Sequence, residues 1–457
     1  MPGFFRFITA LICAGVALVP LKVRAEDAQQ PRQSSVQAPA KVPETVQQAV
    51  KIPEAVNGPE TLTWAECVRE AAKNHPDLIA AQQVVMENEA GKRISASGEY
   101  PQINGSASAS TSKTSGEQST DSYSAGVTGS QLIFDGKKTI NNVKASQENI
   151  NASKQSFQFT SADVRQRLRT AYVNLLKAQE QITISRQIYD IRRGNLELIT
   201  LRYQSGLEHK GALMTAQANL SEAQYGITQA ERDLEVAQKD LAKEMGREKW
   251  TALCVQGEFV VRDDGKGEID LTAIAQKNPQ VLRAAAQKNA ANFNLRSTYG
   301  NYAPKVTVSG SAQETGADMP PDKGGVSAGV AVTMPIFEGG LRKAQVDQAK
   351  ATLDQLEAAQ RSTRDTVLLT LQQTRAALQD AVDNVDVQNK FLQATEERSK
   401  IAQAQYSIGT ITFDSWTIIE DNLVTAKRTY LTAQANALLA EANWVQAKGE
   451  TLEYENQ

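Results

Sequence analysis

The chain has 457 residues, 49 basic against 52 acidic side chains and a formal net charge of -3. That balance gives nucleic-acid binding no electrostatic support, and two histidines, His75 and His209, with three cysteines leave no cluster suited to zinc or haem. No nucleophile motif and no phosphate-cradling glycine loop is present, so no catalytic residue, metal or cofactor is expected.

Residues 1–25 read as a secretory signal, with Arg6, an apolar run from Phe7 to Leu18, and Val23-Arg24-Ala25 ahead of Glu26. That run is too short to span a bilayer. Cys13 lies inside it behind Ile12, which does not suit a lipoprotein signal. Losing Arg6, Lys22 and Arg24 moves the formal charge from -3 to -6. Residues 26–60 are rich in Gln, Ala and Val and are broken by Pro31, Pro39, Pro43, Pro53 and Pro59, which predicts a flexible leader. Downstream there is no apolar run long enough for a transmembrane helix, a silence that a β-barrel shares because its strands alternate.

The remainder is a tandem duplication. One constant offset superimposes Pro76 on Pro279, Pro101 on Pro304, Phe134 on Phe337, Tyr203 on Tyr406 and Gly246 on Gly449. The repeats span about residues 61–246 and 269–449, with a spacer at 247–268 and a tail at 450–457, and each should fold into the same succession of elements. In the first repeat, Leu62 to Glu99 has helical spacing interrupted at His75-Pro76, which predicts two short helices. From Pro101 the composition turns small, polar and alternating, predicting strands over about 101–134 with a loop near 113–120. The second repeat sharpens the pattern over 304–337, with a loop near 317–323. There Val326, Val330, Val332 and Ile336 share one face while Ser327 and Thr333 share the other. Two strands per repeat are marginal alone, so the apolar face needs a partner sheet or lipid.

After Asp135-Gly136 about 70 residues run to Tyr203 without proline, a helix of roughly 100 Å. Its apolar seam carries Ser185 and Arg192 as polar breaks. Gly206 turns the chain, and the return helix places Leu213, Ala216, Leu220, Ala223, Ile227, Ala230, Leu234, Ala237 and Leu241 at 3-4 spacing. Such a seam, with alanines at regular intervals, lets two helices approach closely. The second repeat matches it from Trp416 to Ala447. The fold class is therefore mainly α, built of duplicated long helical hairpins, with four strands per chain. Cys67 and Cys254 either bridge or remain separate thiols; sequence leaves both open.

The ordered set of motifs resembles the TolC-type outer-membrane factor family over about Leu62 to Gly449. It comprises Asn74-His75-Pro76 and Lys277-Asn278-Pro279, the proline-led strands, and Leu132-Ile133-Phe134-Asp135-Gly136 matched by Pro335-Ile336-Phe337-Glu338-Gly339. Arg202-Tyr203-Gln204-Ser205-Gly206 matches Gln405-Tyr406-Ser407-Ile408-Gly409, and Asn219-Leu220 matches Asn422-Leu423. The resemblance implies a homotrimer whose chains each lend four strands to one twelve-stranded outer-membrane barrel and four helices to a periplasmic tunnel. It also implies passive export in efflux or type I secretion, with a periplasmic adaptor (membrane fusion protein) and an inner-membrane pump of the RND, ABC or MFS type as partners, and outer-membrane lipid around the barrel.

By the same resemblance Arg202, Tyr203 and Gly206 in one tip, and Tyr406 and Gly409 in the other, meet the adaptor, although a helix C-cap also accounts for the glycines. Where some relatives carry entrance acids, this chain has Ser415 and Ile418, so Asp414, Glu420 and Asp421 are the candidates for a substitute acidic ring. An acid at Asp414 also suits a helix start by charge alone. Val326, Val330, Val332 and Ile336 are expected to face lipid. The competing readings are a soluble periplasmic coiled-coil scaffold and the adaptor itself.

Overall fold

The computed structural model describes residues 60–452, apart from 114, 117, 118, 263 and 264. The signal segment, nearly all of the leader and residues 453–457 of the tail lie outside the described residues. In chain order the elements are β1 (Glu60–Leu62), α1 (Trp64–Asn74), α2 (Pro76–Ser97), β2 (Gln102–Ser112), β3 (Thr120–Phe134), α3 (Lys138–Gln204) and α4 (Lys210–Glu244). The second half follows with β4 (Leu253–Val255), α5 (Leu271–Lys277), α6 (Pro279–Gly300), β5 (Lys305–Gly316), β6 (Lys323–Thr333), α7 (Leu341–Ser407) and α8 (Phe413–Lys448).

The breaks fall where local chemistry puts them. Thr63 and Glu66 close a capping box on α1. His75 ends that helix and then starts α2, its Nδ1 accepting the Asp77 N–H at 3.1 Å with Pro76 at the first helical position. Asn278 does the same for α6, accepting from Gln280 N–H at 2.9 Å. With no proline to stop them, α3 and α7 each run 67 residues, roughly 100 Å.

The hairpins have unequal arms. α4 and α8, of 35 and 36 residues, pair with only the tip-side part of α3 and α7. Beside the sheet-side parts lie α2 and α6, each of 22 residues. The layer therefore reads α2–α3–α6–α7 near the sheet and α4–α3–α8–α7 toward the tips. Where α4 ends it abuts the start of α2, so that a Cβ on Gly246 would lie 2.5 Å from the Asn74 carbonyl oxygen.

Duplication is visible in the core. Val164, Leu168 and Leu175 are buried with Leu78 and Leu241 in one cluster, and Val367, Leu371 and Leu378 with Val281 and Trp444 in the other. Along α4 the alanines 216, 223, 230 and 237 are buried while Leu220, Ile227 and Leu234 are half-buried, so the small residues mark the line of closest approach. A short parallel pair, β1 with β4, covers the first cluster. It lies partly in the stretch read as a spacer, because strands of three residues carry no detectable period.

Cys254 sits on β4 between Leu253 and Val255, which both point into that cluster, so alternation turns its side chain the other way. Cys67 is fully buried in the same cluster. Both thiols are free, and the bridge left open by the sequence is not formed.

The four long strands form one antiparallel meander, ordered β2-β3-β5-β6. Registers Ser108↔Ser124, Thr128↔Ser311 and Ser311↔Ser327 place hydroxyls on one face, while Val127↔Ala312 and Val308↔Val330 place small apolar residues on the other. β6 stops at Thr333. Ile336 therefore lies beyond the strand, 97% exposed, and is not a strand residue. Pro335 gives the reason, since it has no N–H to continue the ladder. Among the described residues no helix is long and apolar enough to cross a membrane.

Candidate functional site at the helical tips

Each hairpin turns by the same device. Gly206 has φ 72° and Gly409 φ 78°, and after them Leu207 N–H donates to the Arg202 carbonyl and Thr410 N–H to the Gln405 carbonyl, both at 2.9 Å. This is a left-handed C-cap that satisfies the last carbonyls of α3 and α7. A Cβ on Gly206 would meet nothing within 4 Å, so the backbone angle alone demands glycine there.

The two turns are joined across the duplication. Arg202 Nη1 donates to the Tyr406 carbonyl at 3.2 Å and the Ser407 carbonyl at 3.3 Å, and the guanidinium lies 4.8 Å from the centre of the Tyr406 ring. On its other side Tyr406 stacks on Trp416, centroids 4.4 Å apart and planes at 13°. Its hydroxyl donates to Glu208 Oε2 at 2.7 Å. Tyr406 is 1% exposed within a cluster of Ile199, Ala212, Ala216, Ala402, Phe413 and Trp416. Burial first, and the Glu208 carboxylate second, push its phenol well above the ordinary tyrosine range.

Tyr203, its counterpart in the first repeat, is exposed, as are Gly206 and Gly409. Of the five tip residues read from sequence, Arg202 and Tyr406 are thus brought into one contact, and Tyr203, Gly206 and Gly409 form its outer surface. Glu208 and the stacking role of Trp416 were missed. Trp416 was legible as a seam residue, whereas Glu208 is a single acid in a turn, where no period can mark it.

The candidate acids divide. Asp414 is exposed in the first turn of α8. Asp421 accepts from Arg192 at 2.5 Å, tying α8 to a nearly buried arginine of α3. Glu420 is 3% exposed and accepts from Ser399 Oγ at 2.5 Å, inside the α7–α8 hairpin. A carboxylate so placed is not free to line an opening, which removes Glu420 from the candidates for an acidic ring. Arg192, read as a break in the α3 seam, is that arginine.

Comparison with known proteins follows the same duplication. The family profile described as outer membrane efflux protein matches residues 67–247 and again 271–450. The chain is 24% identical over 337 residues to the outer membrane efflux protein BepC of Brucella suis, covering 72% of each. It is 22% identical over 375 residues to the cation efflux system protein CusC of Escherichia coli O157:H7, covering 79% of this chain and 80% of that one. A crystal structure of CusC superposes with a TM-score of 0.75 at 20% identity, over 84% of this chain and 91% of that one. The open-state MtrE outer membrane channel of Neisseria gonorrhoeae superposes with a TM-score of 0.75 at 18% identity, over 86% and 90%.

Proposed function

The chain belongs to the outer membrane efflux protein family, and from that premise we propose that it works as a homotrimeric exit duct, carrying cargo passively across the outer membrane for a tripartite pump. Outer-membrane export fits the doubled profile match better than a periplasmic scaffold or an adaptor does, since the match covers both repeats. An adaptor and an inner-membrane pump are its working partners. Export through the Sec pathway is supported by the signal read at residues 1–25.

The observation that carries the trimer is a pair of unpartnered edges. On α4 the exposed Met214, Tyr225 and Val236 recur every 11 residues, which is three helical turns, on the side opposite the buried alanines. On α7 the exposed Leu369, Val387, Phe391 and Ile401 share the face turned away from Leu371 and Leu378. α4 and α7 are the two outer helices of the tip-side layer. A layer with a greasy edge on each side, and a sheet whose edge strands β2 and β6 have no further partner among the described residues, are both satisfied by head-to-tail rotation of identical copies. Four strands from each of three chains give a barrel of ordinary size, and the apolar strand face would meet lipid.

At the other end the tips are the docking surface, with Tyr203, Gly206 and Gly409 outward and Arg202, Tyr406 and Trp416 as the frame behind them. The mass of the detergent-solubilised protein tests the assembly. Three copies are expected, and Phe391→Asp should shift the population toward single chains. A monomeric wild type would sink the proposal.

A further inference from the structure

Among the described residues Lys137 is the only residue other than glycine with a positive φ, 66°. The position that matches it in the second repeat is Gly340, with φ 88°. A residue with a Cβ is strained in this region and glycine is not. The first repeat therefore keeps a lysine where its own twin shows that glycine serves. Lys137 and Lys138 are both exposed, and the adjacent acid, Asp135, is taken up by the Thr139 amide and hydroxyl at 2.8 and 2.5 Å.

Around these lysines lies a collar of exposed apolar side chains. Tyr100, Ile133, Phe134, Tyr302, Met334 and Phe337 sit at or beside the four junctions where strands meet helices. Phe134, paired with Val306 after a bulge, carries the apolar face of the sheet to its helical end. Further cations stand at the same level: Lys305 opens β5, and Lys343 follows Arg342, which pairs with Glu338 at 2.8 Å and lies over the Tyr302 ring. Exposed aromatic side chains and exposed ammonium groups sharing the same four strand–helix junctions, with Arg342 over Tyr302, match the chemistry of a headgroup layer.

We infer that this collar binds anionic phospholipid of the periplasmic leaflet, with Lys137 and Lys138 holding the headgroup phosphate and the aromatic side chains bracketing the glycerol level. This rests on the outer-membrane reading above. The strain at Lys137 is then the cost of aiming an ammonium group at the leaflet, which Gly340 does not incur.

The test uses the full-length protein in phosphatidylcholine vesicles with and without phosphatidylglycerol, the lipid retained after mild detergent extraction being counted by native mass spectrometry. Wild type should retain phosphatidylglycerol in preference to phosphatidylcholine. Lys137→Gly and Lys138→Gln should each lower that preference about fivefold, the share of one lysine near an anionic surface. Lys137→Gly should also raise the melting temperature by about 1–3 °C, because the strain is relieved. Stability and lipid retention moving in opposite directions is an outcome that loss of a purely structural lysine would not produce. Unchanged preference in both variants, with membrane insertion intact, overturns this inference alone; failure of wild type to insert overturns it together with the outer-membrane reading. Millimolar inorganic phosphate should leave retention unaffected, and loss of retained lipid would instead reveal a site for free anions.

Discussion

Tyr406 concentrates the tip's energetics in one side chain, because its ring, hydroxyl and backbone carbonyl engage three different neighbours. Tyr406→Ala removes a buried ring stacked between Arg202 and Trp416 and should cost about 3–5 kcal/mol, seen as lost hydrogen-exchange protection at both turns. Tyr406→Phe keeps the stack and takes away the donor to Glu208 Oε2, while the His209 amide still serves Oε1, at about 1 kcal/mol. Since the folded phenol is pushed up by burial and then by Glu208, its share of stability is complete below the unfolded value near pH 10 and is lost as pH rises past it. Wild type should therefore lose stability relative to Tyr406→Phe in that alkaline range, as thermal melts across pH would show. Asp414, exposed at the start of α8, remains the proposed entrance acid. Single-channel recording should find divalent-cation block weakened in Asp414→Asn, and equal block in both forms would clear it of that role. The sequence marked the tip tyrosines and glycines because turns have a grammar of their own. It misplaced Glu420, although that residue lies four after Trp416 and so shares its buried face, because a carboxylate reads as solvent-facing until its partner is known.

At the scale of elements, what could be read was whatever repeats over many residues. The absence of proline gave the length of α3 and α7, and alternation gave the strand faces in β6. Proline again decided where β6 stops, and the apolar pattern running past it to Ile336 was the misleading signal. The pair β1 and β4 stayed hidden because three residues cannot display a period. The end-to-end joint between α4 and α2 was equally invisible, since it joins residues far apart in sequence. Gly246 makes it possible, with φ 76° and the Asn74 backbone where a side chain would go. Gly246→Ala should destabilise the protein by about 2–3 kcal/mol, combining a left-handed alanine with overpacking against backbone. Gly206→Ala, equally left-handed but open to solvent, should cost about 1 kcal/mol. Denaturant midpoints of the two variants separate these contributions.

For the whole molecule, the sequence revealed the duplication but not that the two halves are stitched at their tips, since an arginine reaching the carbonyls of a turn some two hundred residues away leaves no trace in spacing. Assembly makes its own demand on the sheet. Val330→Arg puts a charge on the apolar strand face and should cost about 2–4 kcal/mol at mid-depth. A sharply reduced yield of assembled protein in outer-membrane fractions is expected, and normal yield would contradict the lipid-facing assignment. The unequal arms of the hairpins carry one more implication. Alongside each unbroken 67-residue rod runs a second rail made of two pieces butted together part-way along, at Asn74–Gly246 in one repeat and at Pro279–Gly449 in the other. Flexure gathers where a rail is segmented. Bending of the tip-side helices relative to the sheet-side helices should therefore concentrate at these two joints, with the long rods acting as the springs between them.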